Sequence, residues 1–317
     1  MSMNELAARI AEEMIEREDL GIEVRKVNGA TVIDAGVKAK GGFEAGIYLA
    51  KITLGGLANV SISYGSYGYL NLPQVEVYTD HPMEALMASQ FAGWKVKVGD
   101  YFAMGSGPAR ALARKPSKLY EEMGYEESSD VAVLALETSE LPNEEVISYI
   151  ADKCGVRPEN LYVIAAATNS LAGSVQISAR SVETGVHKLH TLGVNPRDVI
   201  AGSGRAPIAP IHPDPMIMLG RTNDMLLYGA EVFLFVDMEY ERLRELIEKA
   251  PSCSSKDYGV SVAEKVKEIG QEFLYQVDPG FFAPARYVAC SPSGECVESG
   301  KLNPDIISIS IGLGRRR

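Results

Sequence analysis

Four titratable side chains stand three and four positions apart in one stretch: Arg180, Glu183, His187 and His190 in SARSVETGVHKLH. On an α-helix those spacings line them along one face. A carboxylate there can take a proton from an attacking water and return it as an acid, and an arginine one turn earlier can orient it and hold it ionised. An Arg–Glu pair at i, i+3 is also a common surface ion pair contributing under about 0.5 kcal/mol, and a histidine one turn on is often packing. Spacing alone therefore leaves both readings open. Glu183, His187 and His190, with His212 and Asp214 in IHPDP, would make a metal-dependent hydrolytic site if the fold gathered them, although the spacing is not the H-E-x-x-H pattern. His81 stands alone and receives no role.

Two glycine clusters follow helical stretches, Gly105-Ser106-Gly107-Pro108-Ala109-Arg110 and Gly202-Ser203-Gly204-Arg205-Ala206-Pro207. Successive backbone N–H groups in a loop entering a helix bind anions without side-chain charge, and Arg110 or Arg205 would add a cation. Neither cluster fits a nucleotide fingerprint, so a tight turn between sheet layers is the competing reading. In SYGSYGYL, Tyr64, Tyr67 and Tyr69 could stack on a flat heterocycle or cap a hairpin.

The elements that must carry these residues repeat. QVEVYTDHPMEALMASQFAGW (74–94) and SVQISARSVETGVHKLHTLGV (174–194) both read as strand, helix and Gly. VAVLALETSELPNEEVISYIADKCG (131–155) and EVFLFVDMEYERLRELIEKAPSC (231–253) both read as apolar strand, turn and amphipathic helix. The fold class expected is α/β (α+β): a two-domain subunit from an internal duplication of a strand-strand-helix-loop-strand-helix unit, with helices covering sheets. Residues 1–56 form a helix and a hairpin turning at Asn28-Gly29, 57–155 the first copy, 157–254 the second, which carries the catalytic helix, and 255–317 a C-terminal helix and sheet additions, including ARYVACSPSGECVESG and DIISISIGLG.

Composition narrows the partners. Thirty-one Lys and Arg against 42 Asp and Glu give a net charge of -11, which repels a phosphate backbone, so no nucleic acid is expected. The basic run Arg315-Arg316-Arg317 reads as a solvated tail. No apolar run is long enough for a membrane helix and the start MSMNELAARIAEEM lacks a signal-peptide layout, which predicts a cytoplasmic protein with no membrane partner. Cys154, Cys253, Cys290 and Cys296 are scattered without a C-x2-C pair and read as reduced, mostly core thiols.

Over its full length the chain resembles the archaeal methenyltetrahydromethanopterin cyclohydrolases, through SYGSYGYLNLPQVEVYTDHP, AMGSGPARAL, AATNSLAGSVQISARSVETGVHKLH and AGSGRAPIAPIHPDP. The resemblance implies a hydrolase of archaeal one-carbon metabolism and methanogenesis. It would reversibly open the cationic N5,N10-methenyl bridge of tetrahydromethanopterin to the N5-formyl compound, with no metal and no organic cofactor. It further implies a homotrimer of two-domain subunits with the active site in the cleft between domains. The family's essential glutamate and its neighbouring arginine fall on Glu183 and Arg180. The substrate's anionic tail would be held by one or both glycine clusters, Gly105, Ser106 and Gly107 with Arg110 and Gly202, Ser203 and Gly204 with Arg205, and Tyr67 is a candidate substrate contact. Two alternatives are a metal-dependent hydrolase using Glu183, His187 and His190, and a non-catalytic protein binding a pterin or phosphate ligand.

Overall fold

Asn28 and Gly29 take φ of 46° and 86°, the left-handed pair that a two-residue hairpin turn requires. They join β1 (Glu23–Val27) to β2 (Ala30–Gly36) where the sequence placed a hairpin. In this computed structural model the described residues are 2–270 and 272–314, so Arg315–Arg317 lie outside them. The chain divides into two compact units, Met1–Asn59 with Met83–Gln176, and Val60–Pro82 with Ile177–Arg317.

The first unit holds α1 (Met3–Glu16), β1, β2 and α2 (Phe43–Thr53), then a π-helical segment Met83–Gln90. It continues with β5 (Trp94–Val98), β6 (Tyr101–Ser106), α3 (Ala109–Ala113), α4 (Ser117–Met123), β7 (Ala132–Glu137), α5 (Glu144–Cys154), β8 (Leu161–Ala166) and α6 (Leu171–Ser178), inside which the chain passes to the second unit. Its sheet runs β1-β2-β8-β7-β6-β5, with β2, β8 and β7 parallel. Helices cover both faces, so the parallel strands carry apolar residues on each side. Val32, Leu134 and Val163 pack with Val146, Ile147 and Ile150 of α5, while Ile33, Val133 and Ile164 pack with Ala7, Ala11 and Met14 of α1 and Leu49 of α2.

The second unit begins with β3 (Asn59–Tyr67) and β4 (Leu70–Thr79), then resumes with α7 (Ser181–Thr191), β9 (Val199–Pro207), α8 (Pro215–Gly229), β10 (Glu231–Val236) and α9 (Tyr240–Ile247). It ends with α10 (Val262–Ile269), α11 (Glu272–Gln276), β11 (Arg286–Cys290), β12 (Cys296–Gly300) and α12 (Pro304–Ser310). The sheet order is β12-β11-β10-β9-β4-β3. A core of Tyr67, Met218, Met225, Tyr228, Val262, Phe281 and Ile307 joins α8, α10 and α12.

Several expectations are corrected. VQIS is not a strand but the second half of α6: Ser170 Oγ accepts from Gly173 N at 3.0 Å and starts a helix that runs to Ser178. The matching stretch of the first copy is strand β4, so the two stretches differ in element type. Strand pairing also divides both stretches between the units, 57–155 giving β3 and β4 to the second and 157–254 giving β8 to the first. DIISIS is helix α12, not sheet, because Asn303 Oδ1 accepts from Ile306 N at 3.2 Å and Pro304 opens the first turn. Cys290 and Cys296 are not reduced thiols. They face each other across β11 and β12 with Cα atoms 4.1 Å apart and form a disulfide. Cys154 is a buried free thiol, as expected.

Asp224 on α8 is fully buried, and its carboxylate accepts from Ser261 Oγ, Val262 N and Ala263 N at 2.8, 2.8 and 3.1 Å, capping α10. Burial outweighs those bonds and pushes its carboxyl up to about 6. The folded chain thus holds this proton more tightly than the unfolded chain, whose aspartates titrate near ~3.9. The contribution to stability is full below that value and is lost as the pH rises through about 6. Denaturant unfolding at pH 4.5 and 7.5 should therefore show the advantage of wild type over Asp224→Asn shrinking by roughly 2 kcal/mol at the higher pH. Parallel pH profiles for the two proteins would refute this.

Candidate active site

Helix α7 lies on β9 and β10 with Val182, Gly185, Val186 and Leu189 buried, and at Val182 and Gly185 the approach to the sheet is tight. A Cβ on Gly202 would stand 2.8 Å from Val182 Cγ1, and one on Gly185 would stand 3.3 Å from both Val232 methyls. With that stripe on the sheet, the 100° step of a helix carries Arg180, Glu183, His187 and His190 to its flank, the common face expected from their spacing.

Arg180 is the residue before the first turn of α7, and Glu183 is the third residue within it. Both are buried, 8% and 5% exposed, and Arg180 Nη1 lies 3.5 Å from Glu183 Oε2. This is not the solvated surface pair that i, i+3 spacing commonly produces. At 3.5 Å it orients the carboxylate as an ion pair without a short hydrogen bond. Among the described residues the Arg180 guanidinium is the only partner of the Glu183 carboxylate. A buried carboxylate normally spends its lone pairs on several donors, so this one retains capacity to accept a proton or orient a water.

The other expected residues fall elsewhere. Arg110 is fully buried and cannot reach a ligand: its Nη1 donates to Met87 O at 3.2 Å and Ser89 O at 3.1 Å, its Nε donates to Lys115 O at 2.9 Å, and the guanidinium stacks on Phe91 and Tyr120. Gly105 and Ser106 end β6, and Gly107 N donates to Ser89 O at 2.8 Å. That first cluster is thus not an anion cradle but a packed junction. Gly202, Ser203, Gly204 and Arg205 are not a loop either; they lie within β9, paired to β4 on one side and β10 on the other. Gly202 and Gly204 face α7, so Ser203 and Arg205 point to the opposite side of the sheet. There Arg205 Nε donates to Glu231 Oε2 at 2.7 Å, and Arg286 Nη1 bonds the other oxygen of Glu231 at 2.8 Å. Tyr67 is 1% exposed, its hydroxyl donating to Gln74 Oε1 at 2.8 Å, and is core and not a stacking platform.

No three His, Cys, Asp or Glu side chains converge on a metal-holding arrangement among the described residues. Glu183, His187 and His190 share a face without forming such a group, and His190 Nδ1 lies 3.3 Å from Val194 O at the end of its own helix. His212 Nδ1 accepts from Asp214 N, and Asp214 caps α8. Sequence reasoning passed over Lys188, which is buried, donates from Nζ to Gly280 O at 2.8 Å and ties α7 to the segment before β11. Burial pulls its ammonium below the ordinary lysine range, opposed by Asp278. Its sequence signal was weak, since a lysine among helical polar residues reads as solvated.

A buried carboxylate with an arginine at its side thus stands on the first turn of a helix in a two-unit α/β chain. The cyclohydrolase (MCH) family model matches residues 2–311. Proteins called methenyltetrahydromethanopterin cyclohydrolase are similar along the whole chain: 48% identical in Methanocaldococcus jannaschii, with 98% of each chain covered, and 46% and 45% in Methanosarcina barkeri and Methanococcoides burtonii, with 99% of each covered. The chain belongs to this cyclohydrolase family. No helix among the described residues is long and apolar enough to cross a membrane.

Proposed function

We propose that this enzyme reversibly hydrolyses 5,10-methenyltetrahydromethanopterin to 5-formyltetrahydromethanopterin, with Glu183 handling the proton of the attacking water. The observation that carries the mechanism is the buried Glu183 carboxylate with Arg180 as its single partner among the described residues. The methenyl carbon sits between two nitrogens that share a positive charge, so it is electrophilic before any Lewis acid acts, and the proposal includes no metal or organic cofactor. As water attacks, its oxygen bonds to that carbon and Glu183 takes one proton. The C–N10 bond then breaks, Glu183 returns its proton to N10, and the hydroxyl of the adduct loses the second proton to solvent, leaving the formyl group on N5. Arg180 keeps the carboxylate aimed, and the cationic substrate is drawn to the same negative charge.

The assay is spectrophotometric. Purified protein should consume the methenyl chromophore at equal rates with and without EDTA. Binding without loss of absorbance would favour a non-catalytic pterin-binding protein, and loss of activity to EDTA, restored by metal, would favour a metal-dependent hydrolase.

We propose further that the subunits form a homotrimer through the face of the second sheet that α7 leaves bare. This sheet is mixed, β10 and β11 being its parallel pair, and a sheet face turned to water ordinarily carries polar side chains. Here Tyr78 is 57% and Phe235 46% exposed, and Phe233 packs edge-on against Phe235 with ring centroids 5.1 Å apart. Beside them Glu76, Arg205, Glu231 and Arg286 stand in register across four strands with alternating sign, a row that a second copy can complement. Light scattering should show Phe233→Asp with Phe235→Asp as a folded monomer; an unchanged trimer would place the interface elsewhere.

A further inference from the structure

We infer that Gly202 and Gly204 are positioning residues for Glu183, setting the height of the first turn of α7 above the sheet; the inference rests on the catalytic reading of Glu183. Neither glycine has a positive φ among the backbone angles, so space and not conformation requires them. A Cβ on Gly202 would lie 2.8 Å from Val182 Cγ1 and 3.1 Å from Leu234 Cδ2. One on Gly204 would lie 2.9 Å from the backbone oxygen of Glu231, 3.0 Å from Ser181 Oγ and 3.0 Å from Val182 Cγ2. Carbon atoms in contact settle at about 3.5–4.0 Å, so the clash at Gly202 asks for a movement on the order of 1 Å.

Val182 cannot yield alone. Its χ1 is nearly fixed in a helix, and it is wholly buried between α7 and the sheet. The relief available is a lift of the helix turn, and Glu183 is the next residue along it. A displacement of about 1 Å at a catalytic group can reduce turnover by roughly 10²-fold. The glycines that look like a phosphate cradle in the sequence thereby serve the chemistry from beneath, through close helix–strand approach.

The experiment compares Gly202→Ala, Val182→Ala, the double variant, Glu183→Gln and wild type in one assay. Gly202→Ala is expected to stay folded and to lose roughly 10–100-fold in kcat, with KM changed by less than about threefold. Trimming Val182 makes room for the added methyl, so the double variant should recover at least about tenfold of that loss, although Val182→Ala itself lowers Tm. A purely structural glycine would lower Tm without this kcat split and rescue. Gly202→Ala with kcat within about twofold of wild type, or a loss that Val182→Ala leaves unchanged, overturns the inference. Should Gly202→Ala not fold, the double variant carries the test: folded and active supports the seat, unfolded or inactive overturns it. Turnover by Glu183→Gln would sink the catalytic reading itself, whereas an active Gly202→Ala beside an inactive Glu183→Gln sinks only the positioning role.

Discussion

Replacing Glu183 with glutamine is expected to lower kcat by roughly 10²–10⁴-fold while leaving substrate affinity and fold in place. Glutamine keeps the volume and packing of the side chain but cannot take a proton from water, so the attack and the protonation of N10 both lose their carrier. Because Glu183 is buried with one ion-pair partner, its loss should appear in kcat and kcat/KM together, the pattern of an interaction made in the transition state. The amide leaves Arg180 without that carboxylate, yet Arg180 has further interactions, so the helix start should hold. Circular dichroism and equilibrium binding of the substrate check the two controls.

The second large effect is on stability. Arg110→Leu is expected to destabilise the first unit by about 3–5 kcal/mol, because it takes a donor from the buried carbonyls of Met87 and Ser89 and from that of Lys115, of which Ser89 O keeps only Gly107 N among the described residues. The stacked rings of Phe91 and Tyr120 lose a desolvated cation worth about 2 kcal/mol as well. Cations are favoured at helix C-termini for the same reason, and Arg110 serves the end of the segment Met83–Gln90. Calorimetry should show Tm falling by roughly 10 °C. Arg110→Lys restores charge but not the fork, and should fall between the two. A KM effect without a Tm effect would return Arg110 to the substrate's tail.

How much was legible in the sequence follows from what each signal measures. The helix carrying Arg180 and Glu183 was visible because 3.6-residue spacing and the N-terminal helix and hairpin depend on local chemistry. VQIS failed because a four-residue apolar run suits strand and helix alike; Ser170, its N-cap, was the overlooked signal. Isoleucine–serine alternation in DIISIS mimicked a strand, although Asn303-Pro304 is a helix start. Gly202-Ser203-Gly204-Arg205 could not be assigned locally, because what makes those glycines necessary is α7, a partner from elsewhere in the chain. The buried state of Arg110 and Tyr67 was hidden for the same reason: residue type reports chemistry, and only packing reports access. The Cys290–Cys296 pair was nearer to hand, since SPSG between two alternating runs implies a hairpin that sets the two cysteines opposite each other.

The most direct measurement is a single-turnover reaction with enzyme in excess over the methenyl substrate, followed by absorbance for wild type and Glu183→Gln. Binding is then complete in both, and only the chemical step is seen. The chromophore should decay rapidly with wild type and persist, bound, with the variant. Decay with the variant at more than about a few per cent of the wild-type rate, beyond the ~10²-fold loss expected for a missing acid–base group, would show that another group moves the proton.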